Sequence, residues 1–390
     1  MRFLHVVPTY LPAVAYGGPI VSVHGLCRAL AKRGHHVEVF TTNRDRSGVS
    51  PVPVGVPVLR DGVRIRYFSS PILKRLFWAP ALGAALRREA ENFHAVHIHA
   101  VFLWPNWAAA RAAHRAKVPF VISPKGMLVK ELIKQRNPLI KSAWIQLIEK
   151  SNLRRASAIH VSSEVEAEEL KRFGWSLPGL TIIPNGVDDP TSFDESQVSR
   201  DIRRVAQASR LVLFLGRISW KKGLDRLIKA LADAQHAVVA IVGPDDENLV
   251  PQLSRIAEQL GFRDRVSFLP RIVLGADKEY LFAKARVCVL PSHSENFGNS
   301  VLEAMRRGVP VVVTPQVGAA DIVREAAGGL VAEPGDFGEA IAKLVQDEAL
   351  ARSLGEAGQR YVTKHCSWAA AAEQMEALYA GLTPSNAGCA

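Results

Sequence analysis

The protein is a chain of 390 residues, 48% hydrophobic and 22% charged, with a formal net charge of +12. That is the composition of an ordinary globular protein, long enough for two or three domains, each with a core of its own. No apolar run approaches the roughly 18 residues that a bilayer crossing needs. The four cysteines, Cys27, Cys288, Cys366 and Cys389, have neither CxxC nor metal-ligand spacing, so they read as reduced thiols.

The opening "MRFLHVVPTYLP" meets proline too soon for a secretory signal and reads as a first buried strand. "YGGP", Tyr16 to Pro19, follows it. Its paired glycines, Gly17 and Gly18, let backbone approach a ligand, and the Gly18 amide can donate to a phosphate oxygen; an ordinary loop turn is the alternative. "GPIVSVHGLCRALAKRG" has apolar residues at helical spacing and a stop at Gly34. "HHVEVF" is the next strand, and "ILKRLFWAP", Ile72 to Pro80, is a basic-aromatic patch.

"HAVHIHA" sets His97 and His99 on one face of a strand, with His94 just before it. A metal pair lacks further ligands in the sequence, and a hydrogen-bonded core residue accounts for His97. The strands "PFVISP" and "AIHVSS" flank "NPLIKSAWIQLIEKSNLRRA", which opens on an Asn-Pro helix start at Asn137. Leu139, Ile140, Ala143, Trp144, Leu147 and Ile148 form one face of that helix, among Lys141, Lys150, Arg154 and Arg155. It reads as a helix packed on its sheet or as a face that meets membrane.

"PNGVDDPTSFDESQ" is a linker by composition. The strand–helix alternation then restarts at "RLVLFLGR" and runs through "HAVVAIVG", "RVSFLP", "RVCVLPS" and "VPVVVT". The chain is therefore expected to form two α/β domains on parallel sheets, residues 1–193 and 194–367, facing a cleft that holds ligand beyond the strands' carboxyl ends. Charge divides at the same place. Met1 to Pro190 has 26 Lys+Arg against 13 Asp+Glu, a difference of +13, and Thr191 to Ala390 has 23 against 24, a difference of −1. One half is thus suited to an anionic partner: nucleic acid, an anionic membrane surface or a phosphorylated acceptor.

Two stretches of the second half carry chemistry. In "GRISWKKG", Arg217 and Lys222 can converge on a diphosphate, with Lys221 as the neighbouring choice. In "PSHSENFGNSVLEAM", Gly298 brings backbone close to the cleft and the helix start offers free amides to phosphate. Glu295 can accept from sugar hydroxyls and Glu303 can hold a ribose. Ser300 with Glu303 also fits a capping box, a structural use of the second glutamate. There is no GxGxxG and no GxxxxGK[ST], so dinucleotide and P-loop readings lose their main support. Asp188-Asp189 and Asp245-Asp246 read as linker and loop pairs, not as a metal-binding DxD.

The Glu295-x7-Glu303 spacing after "VLPS", with "YGGP", "VHIHA", "IPNGVD" and "FLGRISWKKG" in order, resembles the retaining glycosyltransferases of family 4, which have the GT-B fold. The likeness covers nearly the whole chain. It implies that Glu295 contacts the donor sugar, Glu303 the nucleotide ribose, and Arg217 and Lys222 the donor diphosphate, which they stabilise as leaving group. It places His99 near the reacting sugar, although His94 stands where an acidic residue is usual. It also implies that "CSWAAAAEQMEALYAGL" crosses back, so that residues 368–390 join the first domain. The expected site is then His99 and Glu295 as catalytic residues, with Gly17, Gly18, Arg217, Lys222, Phe297, Gly298, Asn299, Ser300 and Glu303 binding donor, and no metal or other cofactor. A UDP- or GDP-sugar is the expected donor. A lipid-linked or glycan acceptor, taken at an anionic membrane surface on the cytoplasmic side, is the expected second substrate, with no nucleic acid. A nucleotide-sugar epimerase and a non-catalytic nucleic-acid-binding protein are the alternatives.

Overall fold

A computed structural model describes residues 1–13, 17–46, 48–135 and 142–382. Tyr16, the helix start at Asn137 with Leu139, Ile140 and Lys141, and Cys389 lie outside them. The chain forms two compact units: Met1–Gly186 with the segment from Trp368, and Val187–Ser367. The joint falls at Gly186/Val187, ahead of the break after Phe193 that composition indicated.

The first unit is built on an eight-stranded sheet. In chain order its strands are β1 (Arg2–Val7), β2 (His36–Thr42), β3 (Pro57–Arg60), β4 (Val63–Phe68), β5 (Ala95–His99), β6 (Phe120–Ser123), β7 (Ala158–Val161) and β8 (Leu180–Ile182). Their order across the sheet is β8-β7-β6-β5-β1-β2-β4-β3, with only the β3–β4 pair antiparallel. That pair is a hairpin on Asp61-Gly62, both in the left-handed region at φ 52° and 80°. An Asp-Gly turn between two strands is a sequence signal for a hairpin; in "VLRDGVRI" sequence reading missed it.

β1 and β5 are buried almost throughout because helices cover both faces of the sheet, which is why they read as unbroken apolar runs. On one face lie α1 (Gly18–Lys32) and the C-terminal helix Trp368–Leu382, sharing a core of Ile20, Val23, Leu30, Trp368, Met375 and Tyr379. The return of the C-terminal segment is thus seen directly. Gly25 makes it possible, since a Cβ there would lie 2.3 Å from the Trp368 ring. On the other face pack the helices Pro80–Glu89, Trp104–Arg115 and Lys150–Arg155, through Leu82, Leu86, Ala113 and Leu153.

Two expected surface features change in the structure. The segment before Lys150 is a π-helical turn, Ile145–Glu149, which buries Ile145 and Glu149 and leaves Leu147 78% exposed. Its apolar residues therefore do not share one face. Trp144 is half-buried and donates its indole N–H to Glu149 Oε1 at 2.9 Å. In the basic-aromatic patch Phe77 is buried and Trp78 meets Trp104 edge-on with ring centroids 6.4 Å apart, so Ile72, Leu73, Lys74 and Arg75 are what solvent sees.

The second unit has six parallel strands: β9 (Leu211–Leu215), β10 (Val238–Val242), β11 (Val266–Leu269), β12 (Ala285–Leu290), β13 (Val311–Val313) and β14 (Gly329–Val331). Their order is β11-β10-β9-β12-β13-β14. In each sheet the order reverses once, between β1 and β5 in the first and between β9 and β12 in the second. In open parallel sheets of this kind, ligands bind beyond the carboxyl ends of the strands at that reversal. Among the described residues no helix is long and apolar enough to cross a membrane.

Candidate functional site

The reversal in the second unit is flanked by the loops after β9 and β12, and these carry the residues singled out in the sequence. The chain leaves β9 through Gly216 and Arg217 into a 3-10 turn, Trp220–Lys222. Gly223 ends that turn at φ 61°, and a Cβ there would stand 2.1 Å from the Pro291 carbonyl oxygen. Only glycine lets the two loops come this close. The approach brings Lys222 Nζ onto Glu295 Oε2 in an ion pair whose side chains are 17% and 19% exposed. Lys222, not Lys221, makes this contact. The Lys221 backbone carbonyl instead accepts from the His293 N–H at 2.7 Å.

Glu295 is held by backbone as well. Its N–H donates to the Gln316 carbonyl at 3.1 Å and its own carbonyl accepts from the Gly318 N–H at 2.9 Å. Phe297, 3% exposed, anchors the turn, and Gly298 at φ 92° starts the helix Asn299–Arg306. The capping box is not formed: Gly298 is the N-cap, no side chain caps the helix, and Ser300 lies inside the first turn. Glu303 instead pairs with Lys278 at 2.8 Å. Lys278 comes from the helix Gly275–Lys284, and sequence reading missed it because nothing local links it to Glu303. Arg217 is 47% exposed and its nearest carboxylate is Asp246, at 3.9 Å. Asp245 accepts from the amides of Leu249 and Val250 at 2.8 and 2.9 Å, so it supports a helix start. Asp189 pairs with Arg306.

In ionic terms the site is two Lys–Glu pairs and an open arginine around a helix start. Each lysine can pass to a phosphate oxygen and each carboxylate to a sugar hydroxyl, exchanging partners without burying an unmatched charge.

The reversal in the first unit carries histidines. His5 of β1 lies opposite His97 of β5 in register, and sequence reading did not join them. His5 Nδ1 and His99 Nε2 are 3.0 Å apart, and the His97 and His99 rings stack at 4.1 Å. Burial is the first cause holding all of these rings well below the ordinary histidine range; His5 is lowered to about 3, and so is His160. They are therefore neutral, and one carbonyl orders the rest. His160 Nε2 faces the Ile183 oxygen at 3.0 Å, which can only accept, so that nitrogen carries the proton. Ser123 then donates to His160 Nδ1 at 2.7 Å and accepts from His97 Nε2 at 2.8 Å. Tyr379 of the C-terminal helix donates to His97 Nδ1 at 2.6 Å.

His97 is thus a hydrogen-bonded core residue. His99 sits at the carboxyl end of β5 but is only 2% exposed, against His5. One ring nitrogen from each of His5, His97 and His99 lies within 4.8 Å of the others; both nitrogens of His97 are hydrogen-bonded to Tyr379 and Ser123. His94 accepts from the Arg2 amide at 3.0 Å. At the first loop, Gly17 at φ 79° is the N-cap of α1, which Gly18 opens.

Comparison with known proteins bears on both units. The family model "Glycosyl transferases group 1" matches residues 196–361, and "Glycosyl transferase 4-like domain" matches residues 17–186. The D-inositol 3-phosphate glycosyltransferase of Xylanimonas cellulosilytica is 29% identical over 98% of this chain and 96% of its own. Among solved structures, sucrose-phosphate synthase from Thermosynechococcus elongatus superposes with a TM-score of 0.73 at 23% identity, covering 98% of both chains. Anabaena HepE, solved with UDP and glucose, has a TM-score of 0.73 at 19% identity, over 98% of this chain and 100% of its own. At these identities the two structures speak for the fold. The epimerase and nucleic-acid-binding alternatives give way to a transferase. The chain belongs to the group 1 glycosyltransferases of family 4 and has their GT-B fold.

Proposed function

We propose that the protein moves a sugar, with retention of anomeric configuration, from a UDP- or GDP-type donor to an acceptor that carries phosphate. A lipid-linked intermediate or another cell-surface glycan precursor, met at the cytoplasmic face of a membrane, is the acceptor class that suits the basic first unit. The observation that carries the donor half of this reading is the Lys222–Glu295 pair at the sheet reversal, with Arg217 on the same loop as Lys222. Donor would replace that pair: Lys222 and Arg217 take the diphosphate, and Glu295 takes hydroxyls of the sugar. Charge gathers on the diphosphate as the glycosidic bond breaks, and fixed cations lower that barrier. Departure assisted from the same face by the leaving phosphate accounts for retention. His99, held against His5, is the first unit's candidate catalytic group. Glu303 would hold the ribose once released by Lys278, and Gly17 and Gly18 would offer amides to phosphate. No step in this scheme calls on a metal ion.

HepE, of the same fold, is solved with UDP and glucose, which supports a UDP-sugar donor. The Xylanimonas relative is named for D-inositol 3-phosphate, which supports a phosphorylated acceptor and admits a soluble one. The test is a thermal-shift screen of UDP-, GDP- and ADP-sugars followed by NMR of the product. Stabilisation by one base and an unchanged anomeric configuration are expected. A chain that no nucleotide sugar stabilises, or a product of inverted configuration, overturns the reading.

A further inference from the structure

The first unit holds an open cavity of about 340 Å³ lined by Gln146, Lys150, Ser151, Arg154 and Arg155. We infer that this cavity is a binding site for a phosphate group. Three cations line it, and none of them has an ion-pair partner among the described residues. Other arginines of the unit, such as Arg66 with Glu38 and Glu89 and Arg172 with Glu131 and Glu169, are paired; Arg64, Arg87 and Arg115 are exposed single cations on separate elements and do not line this cavity. Lys150 and Arg154 stand four residues apart on one helix, a spacing at which like charges repel. An anion between them removes that repulsion. A planar guanidinium fork and an ammonium together suit phosphate oxygens.

The nearest carboxylate in sequence has been turned away. The π-helical turn Ile145–Glu149 points Glu149 inward, where Oε1 accepts from the Phe102 amide at 2.7 Å and from the Trp144 indole at 2.9 Å. No Asp or Glu follows until Glu164. Turns of this kind are frequent at functional sites, and this one tethers the cavity's helix to Phe102, in the loop that leaves β5 after His99. The same turn sets Leu147, 78% exposed, just ahead of the cations. A helix dipole accounts for Arg154 and Arg155 near a C-terminus, but not for a cavity whose lining also takes in Lys150 from the start of the helix. The ligand class is a phosphate monoester or diester, borne on a lipid headgroup or on a soluble molecule. The inference is independent of the donor assignment, which concerns the other unit.

The experiment compares the full-length protein with Lys150→Gln/Arg154→Gln/Arg155→Gln and with a charge-matched control, Arg64→Gln/Arg87→Gln/Arg115→Gln. Each is sedimented with phosphatidylglycerol and with phosphatidylcholine vesicles, and titrated with inorganic pyrophosphate in saturating UDP. The site variant is expected to lose roughly tenfold or more in affinity for one anionic probe, and the control at most about threefold. Loss confined to phosphatidylglycerol identifies a headgroup site; loss for pyrophosphate identifies a soluble phosphate. Equal losses in the two variants, or no loss in either, overturn the inference. Stabilisation by UDP, measured in parallel, reads the donor site separately.

Discussion

Lys222 and Glu295, 73 residues apart in sequence, are joined by an ion pair across the two loops that flank the strand-order reversal of the second unit. Both side chains are mostly withdrawn from water, so each matters more than an exposed ion would. In the proposed reaction this pair exchanges its partners for a diphosphate and a sugar hydroxyl.

Replacing Glu295 with Gln keeps its volume and removes its charge. Turnover is expected to fall by about 100-fold or more, as when a group that acts chiefly in the transition state is removed. UDP affinity should stay within about threefold. Steady-state kinetics and calorimetry check this, and unchanged turnover counts against the assigned role.

Lys222→Ala acts on the other member. If Lys222 donates a charged hydrogen bond to the diphosphate as proposed, its loss costs roughly 1.5–3 kcal/mol, so UDP affinity should drop about ten- to a hundredfold. Turnover should fall with it. UDP binding at wild-type strength would move the diphosphate elsewhere.

Tyr379→Phe tests the polar chain under the C-terminal helix. Loss of the hydroxyl leaves the buried His97 Nδ1 without a donor, at a cost of about 1–3 kcal/mol. Denaturant unfolding should show the loss, and Ser123→Ala should show one of similar size. Combined in one chain, the two changes should fall short of additivity because they break one network.

Acid should destabilise the first unit through its histidines. His5 and His160 are lowered to about 3 by burial, while the unfolded chain protonates them near 6.5. Below that value the unfolded state binds more protons than the native one. Their stabilising contribution is complete above about pH 6.5 and declines towards pH 3, by ~1.4 kcal/mol per unit for each ring. Unfolding midpoints measured from pH 7.5 to 5 should fall, and His160→Gln should flatten the slope. A midpoint indifferent to pH in that window contradicts neutral buried rings.

Much of this molecule was legible in its sequence. Ten strands show as short apolar runs because parallel strands covered on both faces are apolar on both. β3, β4, β8 and β14 did not show: β3 is a mostly exposed edge strand, β4 beside it alternates with arginines, and the last two have three residues each. Glu295, Arg217 and Lys222 stand out because each follows a strand end, where ligands of such sheets bind. The capping box at Ser300 looked equally local and failed, since Gly298 starts the helix before Ser300 can cap it.

Partners, by contrast, belong to the tertiary structure. Periodicity reports which side of an element is buried, so the sequence alone determined two α/β units and the strand ends that bear charge. Strand order and the returning helix decided that Lys222 meets Glu295, Lys278 meets Glu303, His5 meets His99, and Tyr379 meets His97 from 282 residues away. A hydrogen bond forms between whichever groups the fold brings within about 3 Å, and that distance has no trace in the local pattern of either partner.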